Sequence, residues 1–159
     1  MEVALIMGSD SDWKVMKKAV EVLKDFGIEF EVTVASAHRT PKKVHDFVKN
    51  SKAKIFIAGA GMAAHLAGVV ASFTTKPVIG VPLSSENFQG LDALLSTIQM
   101  PSGVPVATMA VDGAKNAALF AVEILALGDE KIAEKLSDYR EKMVEEVETK
   151  SAKIQRELL

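Results

Sequence analysis

Five apolar residues, Val3-Ala4-Leu5-Ile6-Met7, run without a polar break into Gly8-Ser9-Asp10-Ser11-Asp12. An unbroken run of this length reads as a strand buried on both faces, because a strand with one wet face alternates apolar and polar residues. Burial on both faces requires helices on both sides. The next stretch supplies the first of them: Met16, Ala19, Val20, Leu23 and Phe26 share one helical face, and Gly27 provides the stop. The unit then repeats. Ile28, Phe30, Val32 and Val34 alternate as a second strand, and Thr40 as N-cap with Pro41 at the first helical position opens a helix whose core face is Val44, Phe47 and Val48. Residues 55–58 read as a third strand, entering Gly59-Ala60-Gly61 and an apolar helix through Ala63, Leu66, Val70 and Phe73. A fourth strand over residues 77–81, a loop over 82–90 and a helix near 91–99 follow. A fifth strand over 104–111 and a nearly all-apolar helix over 114–127 complete the series. Repeated strand–helix units imply right-handed crossovers, hence an α/β fold with a doubly wound, five-stranded parallel sheet.

The 159 residues suit a single domain spanning 1–159. Residues 129–159 differ from the rest: they are highly charged, lack Gly and Pro, and carry a thin stripe of Ile132, Leu136, Tyr139, Met143, Val147 and Ile154. The spacing predicts a long C-terminal helix, too long to lie wholly on so small a domain: either a frayed, solvated tail or, the preferred reading, an arm packing on a neighbouring subunit. A formal net charge of -2 leaves no basic excess for a phosphate backbone, so nucleic acid is not the expected partner. The absence of cysteine removes disulfides, thiolate metal sites and a Cys nucleophile together. The first residues lack a basic leader, and no apolar run approaches the roughly 20 residues that span a bilayer, so the expected location is the cytoplasm, away from membranes.

In an open parallel sheet ligands collect outside the C-terminal ends of the strands, where three loops carry chemistry. Gly8-Ser9-Asp10-Ser11-Asp12 offers Ser hydroxyls and helix-start N–H groups to an anion, and Asp12 can accept from ribose hydroxyls. The alternative for this loop alone is a Ser/Asp N-cap cluster without a ligand. After the second strand, Ser36-Ala37-His38-Arg39-Thr40-Pro41 places His38 beside a fixed cation and a helix start, surroundings that favour the neutral, proton-accepting ring. Arg39 brings a planar fork of donors suited to phosphate. Gly59-Ala60-Gly61-Met62-Ala63-Ala64 matches a dinucleotide fingerprint only weakly, because it follows the third strand and has no acid about 20 residues on. Close backbone approach to a ligand shared with the first two loops is the more economical use; His65 is either a core histidine or lines the same pocket, the second being favoured by its place near the helix start. His38, His45 and His65 have no spacing for a metal pair, and no metal is expected.

Four segments together resemble one family, the 5-(carboxyamino)imidazole ribonucleotide mutases or PurE enzymes of purine biosynthesis. They are Gly8-Ser9-Asp10-Ser11-Asp12-Trp13, Ser36-Ala37-His38-Arg39-Thr40-Pro41, Gly59-Ala60-Gly61-Met62-Ala63-Ala64-His65-Leu66 and Gln99-Met100-Pro101-Ser102-Gly103-Val104-Pro105-Val106. The resemblance covers nearly the whole chain. It implies a flavodoxin-like fold assembled as a homo-octamer, with the C-terminal helix reaching a neighbour. It also implies conversion of 5-carboxyaminoimidazole ribonucleotide to 4-carboxy-5-aminoimidazole ribonucleotide without cofactor or metal. His38 would transfer the proton and His65 would act with it at the carboxylate end, alongside Gly61. Ser9, Ser11, Asp12, Ser36 and Arg39 would hold the ribonucleotide, and residues 99–106 would cover the site. Met62 stands where the family usually has Gly, and Ala67 where it usually has Pro. The family's second class carboxylates aminoimidazole ribonucleotide directly and has an Arg-Ser-Asn-type segment in place of Ala60-Gly61-Met62, so this chain sides with the mutases. The rivals from other classes are a non-catalytic flavodoxin-like nucleotide or flavin module and a receiver domain. The first would want more loop aromatics than Trp13 and Phe88, the second an acidic phosphoacceptor where Gly59-Ala60-Gly61 stands.

Overall fold

The structure, a computed structural model, describes residues 1–158. It contains β1 (Val3–Met7), α1 (Trp13–Phe26), β2 (Phe30–Val34), α2 (Pro41–Asn50), β3 (Ile55–Gly61) and α3 (Leu66–Ser72). These are followed by β4 (Val78–Leu83), α4 (Leu91–Ile98), β5 (Ala107–Thr108), α5 (Ala114–Ala126) and α6 (Glu130–Glu157). The five strands form one sheet in the order β2-β1-β3-β4-β5, with every neighbouring pair parallel. This is the flavodoxin-like order, with its switch point between β1 and β3.

The central strands confirm the reading of the apolar run: all five residues of β1 are buried, and so are all six of β4. Ala4 and Ile6 join Phe56 and Ala58 in a core closed by Val44 and Val48 of α2 and by Leu66 and Val70 of α3. On the opposite face α1 lies so close that a Cβ on Gly59 would come within 2.4 Å of the Met16 sulfur. Gly59, opposite Met7 in the register, is thus a packing glycine that lets α1 settle onto the sheet. Gly27, at φ 72°, ends α1, its N–H bonded to the carbonyls of Leu23 and Lys24.

Several elements differ from the sequence expectation, among them β4, which runs on to Leu83 past the expected end at residue 81. β3 continues through Gly61, so Gly59-Ala60-Gly61 is strand and not loop, and α3 begins only at Leu66. β5 is reduced from the expected 104–111 to Ala107–Thr108. Pro105 has no N–H for a ladder, and beyond the strand the chain keeps isolated bonds to β4, from Met109 N–H to the Gly80 carbonyl and from Asp112 N–H to that of Pro82. Thr40 does not cap α2 with its side chain. Its hydroxyl instead accepts from the Ser36 N–H at 2.9 Å and faces the Ser36 carbonyl at 3.2 Å, so it closes the loop that carries His38.

The chain divides into two compact units, residues 1–121 and 122–159. In the second, Asp129 caps α6 by accepting from the N–H groups of Lys131 and Ile132, and Arg140 pairs with Glu123 at 2.8 Å. The 28 residues of α6 make a rod about 42 Å long. Ile132, Leu136 and Tyr139 are half-buried while Met143, Val147 and Ile154 are exposed. No helix among the described residues is long and apolar enough to cross a membrane.

Candidate active site

β1, β2, β3 and β4 end along one edge of the sheet, and their exits enclose a cleft of about 620 Å³. That size is typical of a site for one small molecule. Its wall is made of Gly8, Ser9, Ser11 and Asp12 after β1 and of Ser36, His38 and Arg39 after β2. Gly61, Met62 and Leu66 around the end of β3, with Ser84 and Ser85 after β4, complete it. The cleft therefore sits at the switch point.

The β1 exit is a tight turn, and its polar groups are largely engaged with one another. Ser9 caps the short 3₁₀ turn Asp10–Asp12 in a capping box, with the Ser9 N–H donating to the Asp12 carboxylate at 2.9 Å and the Ser11 N–H to the Asp10 carboxylate at 3.0 Å. The Ser9 and Ser11 N–H groups are consequently taken by the loop's own acids, and the Asp12 and Trp13 N–H groups by the Ser9 and Asp10 carbonyls. The hydroxyls of Ser9 and Ser11 lie 3.1 Å apart and exposed. Burial raises the Asp12 carboxyl above its ordinary range, against the pull of the Ser9 and Gly8 N–H groups. With two acids in this loop, attraction for an anion falls to Arg39, the one fixed cation on the cleft wall. Arg39 donates to the Gly8 carbonyl at 3.1 Å, tying the β2 exit to the β1 exit, and its N–H is held by the Ser36 hydroxyl at 3.2 Å.

His38 projects from the same loop, and its Nε2 meets Nδ1 of His65 at 2.8 Å, the rings set edge to face. One of the two nitrogens must donate and the other accept, so the contact holds one shared hydrogen. His65, at the start of α3, does not itself line the cleft; it reaches the site through His38. Gly61 and Ala60 line the wall, whereas Gly59 faces Met16. Residues 99–106 are absent from the wall formed by this chain.

The sequence reading passed over Ser84 and Ser85. Ser84 is clamped by Asp112, which accepts from its N–H at 2.9 Å and from its hydroxyl at 2.6 Å. The available signal was a Ser pair directly after an apolar strand, comparable to Ser9 and Ser11, which follow Gly8 at the β1 exit.

Comparison with known proteins fits this geometry. Residues 2–146 match the family model described as AIR carboxylase. A Methanocaldococcus jannaschii protein named N5-carboxyaminoimidazole ribonucleotide mutase is 61% identical over 96% of this chain and 96% of its own. A Thermotoga maritima protein of the same name is 50% identical, covering 96% of this chain and 91% of its own. The crystal structure of Treponema denticola PurE superposes with a TM-score of 0.87 at 34% identity, over 95% of this chain and 96% of that one. The chain belongs to the AIR carboxylase family.

Proposed function

We propose that this protein is an N5-carboxyaminoimidazole ribonucleotide mutase: it moves a carboxyl group from the exocyclic nitrogen of an aminoimidazole ribonucleotide to ring carbon 4, a step of purine biosynthesis. The names of relatives at 50–61% identity over nearly the full chain support the reaction. The observation that carries the mechanism is the 2.8 Å contact between His38 and His65 beside a cleft with a cation at one end.

The chemistry needs one proton in each direction. As the carbamate C–N bond breaks, the nitrogen takes up a proton and carbon dioxide is released into the site. Carbon 4 then attacks the carbon dioxide and gives up its proton, so the conversion is an isomerisation with no net change in protons. A histidine pair holding one exchangeable hydrogen suits that cycle. In this assignment His38 exchanges the proton with the substrate, and His65 orients His38 and shares its proton. Arg39 with the Ser9 and Ser11 hydroxyls takes the phosphate, Asp12 the ribose hydroxyls, and Ser36 fixes the Arg39 backbone. Gly61 leaves room for the base beside Leu66. Retention of carbon dioxide calls for a covered site.

The second part of the proposal concerns assembly. Leu91, Leu95 and Ile98 form an exposed stripe along α4, continued by exposed Phe88, and α6 has no buried residue. These surfaces support a homo-oligomer, an octamer by resemblance to the family, in which α6 packs on a neighbour and residues 99–106 cover a site. A cytoplasmic location suits a nucleotide substrate. Light scattering of the full chain would test the assembly, and a monomer at micromolar concentration would contradict it.

The test of the catalytic role is His38→Asn. Turnover is expected to fall by about 10²- to 10⁴-fold while nucleotide affinity and melting temperature stay near those of the wild type. A folded variant with normal turnover would remove His38 from the mechanism.

A further inference from the structure

Among the described residues, three other than glycine hold a positive φ: Met62 at 56°, Gln89 at 51° and Asp112 at 58°. A residue with a Cβ is strained there, and short polar residues such as Asp tolerate it best. Asp112 has an evident return, since its carboxylate clamps both the N–H and the hydroxyl of Ser84. Met62 has no comparable group, because a thioether is at most a weak acceptor. Its side chain is 61% exposed and lies on the cleft wall, so an exposed apolar surface adds to the strain. We infer that Met62 is a retention residue: its side chain folds over the reacting end of the cleft and keeps carbon dioxide beside carbon 4 until the new bond forms. The inference rests on the mutase reading and deepens it.

The fold fixes where that side chain is rooted. β3 pairs with β4 as far as Gly61, opposite Leu83, and Met62 is the next residue. Two short backbone bonds follow, from the Ala64 N–H to the Met62 carbonyl and from the His65 N–H to the Ala63 carbonyl, each at 2.8 Å. This turn delivers His65 to His38. The Met62 backbone is thus pinned between the end of a central strand and the histidine pair. Its side chain is unbranched and polarizable, with three rotatable bonds, so it can close on a ligand while the backbone stays in place.

The order of the strands puts this root at the base end of the nucleotide. Arg39 follows β2, and β3 lies two strand spacings away, roughly 10 Å. A nucleotide with its phosphate at Arg39 therefore directs its base toward Gly61, where Ala60, Ala63 and Leu66 add apolar side chains to that of Met62. Such a wall suits the molecule in transit. When the carbamate C–N bond breaks, its electron pair stays on the nitrogen, which takes up a proton. The carbon leaves as carbon dioxide, uncharged and with no hydrogen to donate. No ion pair can hold it, so a barrier must, until carbon 4 attacks it and gives its own proton to His38.

The experiment compares the wild type with Met62→Leu, Met62→Ala and Met62→Gly on carboxyaminoimidazole ribonucleotide labelled in its carbamate carbon, in excess unlabelled bicarbonate. Label retained in the product, free aminoimidazole ribonucleotide, product-nucleotide affinity, melting temperature and light scattering are measured for each. The ratio of retained to lost label should fall about tenfold in the Ala and Gly variants, the scale of losing one half-covered apolar side chain. Free aminoimidazole ribonucleotide should rise with that loss, and Met62→Leu should restore retention. Nucleotide affinity should stay within about threefold, because the Arg39 end is untouched. Ala keeps the left-handed strain and Gly relieves it, so only Gly should melt higher while both leak. Unchanged retention in the Ala and Gly variants would overturn the inference. So would retention lost together with the assembly, which would place Met62 in a subunit interface. A wild-type protein that itself loses the label would instead overturn the mutase reading, and this inference with it.

Discussion

The two halves of the cleft are assembled by different means. At the β1 and β2 exits most polar contacts are local, Ser9 with Asp12, Ser11 with Asp10, Ser36 with Arg39 and Thr40, all within four residues, and two long-range contacts, Arg39 to the Gly8 carbonyl and His38 to His65, join them to each other and to α3. At the β4 exit the decisive contact joins Ser84 to Asp112, 28 residues away. The first half is a pair of self-folding turns, rigid once their strands pair. The second depends on β5 and the turn before α5 arriving in register, so it is the part of the site that tertiary structure has to deliver. A turn built from its own residues can be read from a short motif, whereas a clamp built across two loops cannot.

That contrast is breakable by substitution. Asp112→Ala removes both bonds to Ser84 and leaves a side chain poorly suited to φ 58°. It should cost about 2 kcal/mol of stability while leaving nucleotide affinity nearly unchanged, which denaturant unfolding and equilibrium binding would resolve. Arg39→Lys is the converse: it keeps the charge but loses the planar fork. Nucleotide affinity should fall about tenfold, equivalent to 1.4 kcal/mol, with little change in stability. If both variants moved stability and affinity together, the halves would not be independent.

Smaller effects sharpen the same comparison. Met62 holds φ 56° at the cleft rim and is 61% exposed. Gly at this position removes left-handed strain, partly offset by greater freedom of the unfolded chain. Met62→Gly should therefore raise stability by about 0.5–1 kcal/mol, read as a higher midpoint in urea. Asp12 gives the smallest effect and the one that depends on pH. Its folded carboxyl is raised above its ordinary 3.8, first by burial. The folded protein thus binds this proton more tightly than the unfolded chain, and the contribution is present below pH 3.8 and lost as pH rises through the raised value. Asp12→Asn should accordingly raise the melting temperature at pH 7, with the gain shrinking in acid. A gain that persisted unchanged below pH 3.8 would show that Asp12 carries no such burden.

Much of the architecture was legible because burial on both faces leaves an unbroken apolar run, as in Val3–Met7. The site loops were legible at β1 and β2 for the reason just given. What escaped the sequence has physical causes. Pro82 ended the reading of the fourth strand at residue 81, although the pairing with β3 runs on to Leu83, so Ser84 and Ser85 fell inside an apparent loop. β5 is regular strand over two residues only, although the apolar segment around it suggested eight. His38 and His65 each stood out as site residues, but their pairing across 27 positions depends on how α3 meets the β2 exit. Thr40 looked like a cap from its place before Pro41, and the backbone of Ser36 claimed its hydroxyl instead.

The central claim is that the carboxyl group never leaves the site, and an isotope-partition assay tests it most directly. Carboxyaminoimidazole ribonucleotide labelled in its carbamate carbon would be converted by the wild-type enzyme in excess unlabelled bicarbonate. Product retaining the label is the predicted result, marking intramolecular transfer in a closed cleft. Product without label, formed equally well from aminoimidazole ribonucleotide and bicarbonate, would contradict the account and make the enzyme a direct carboxylase.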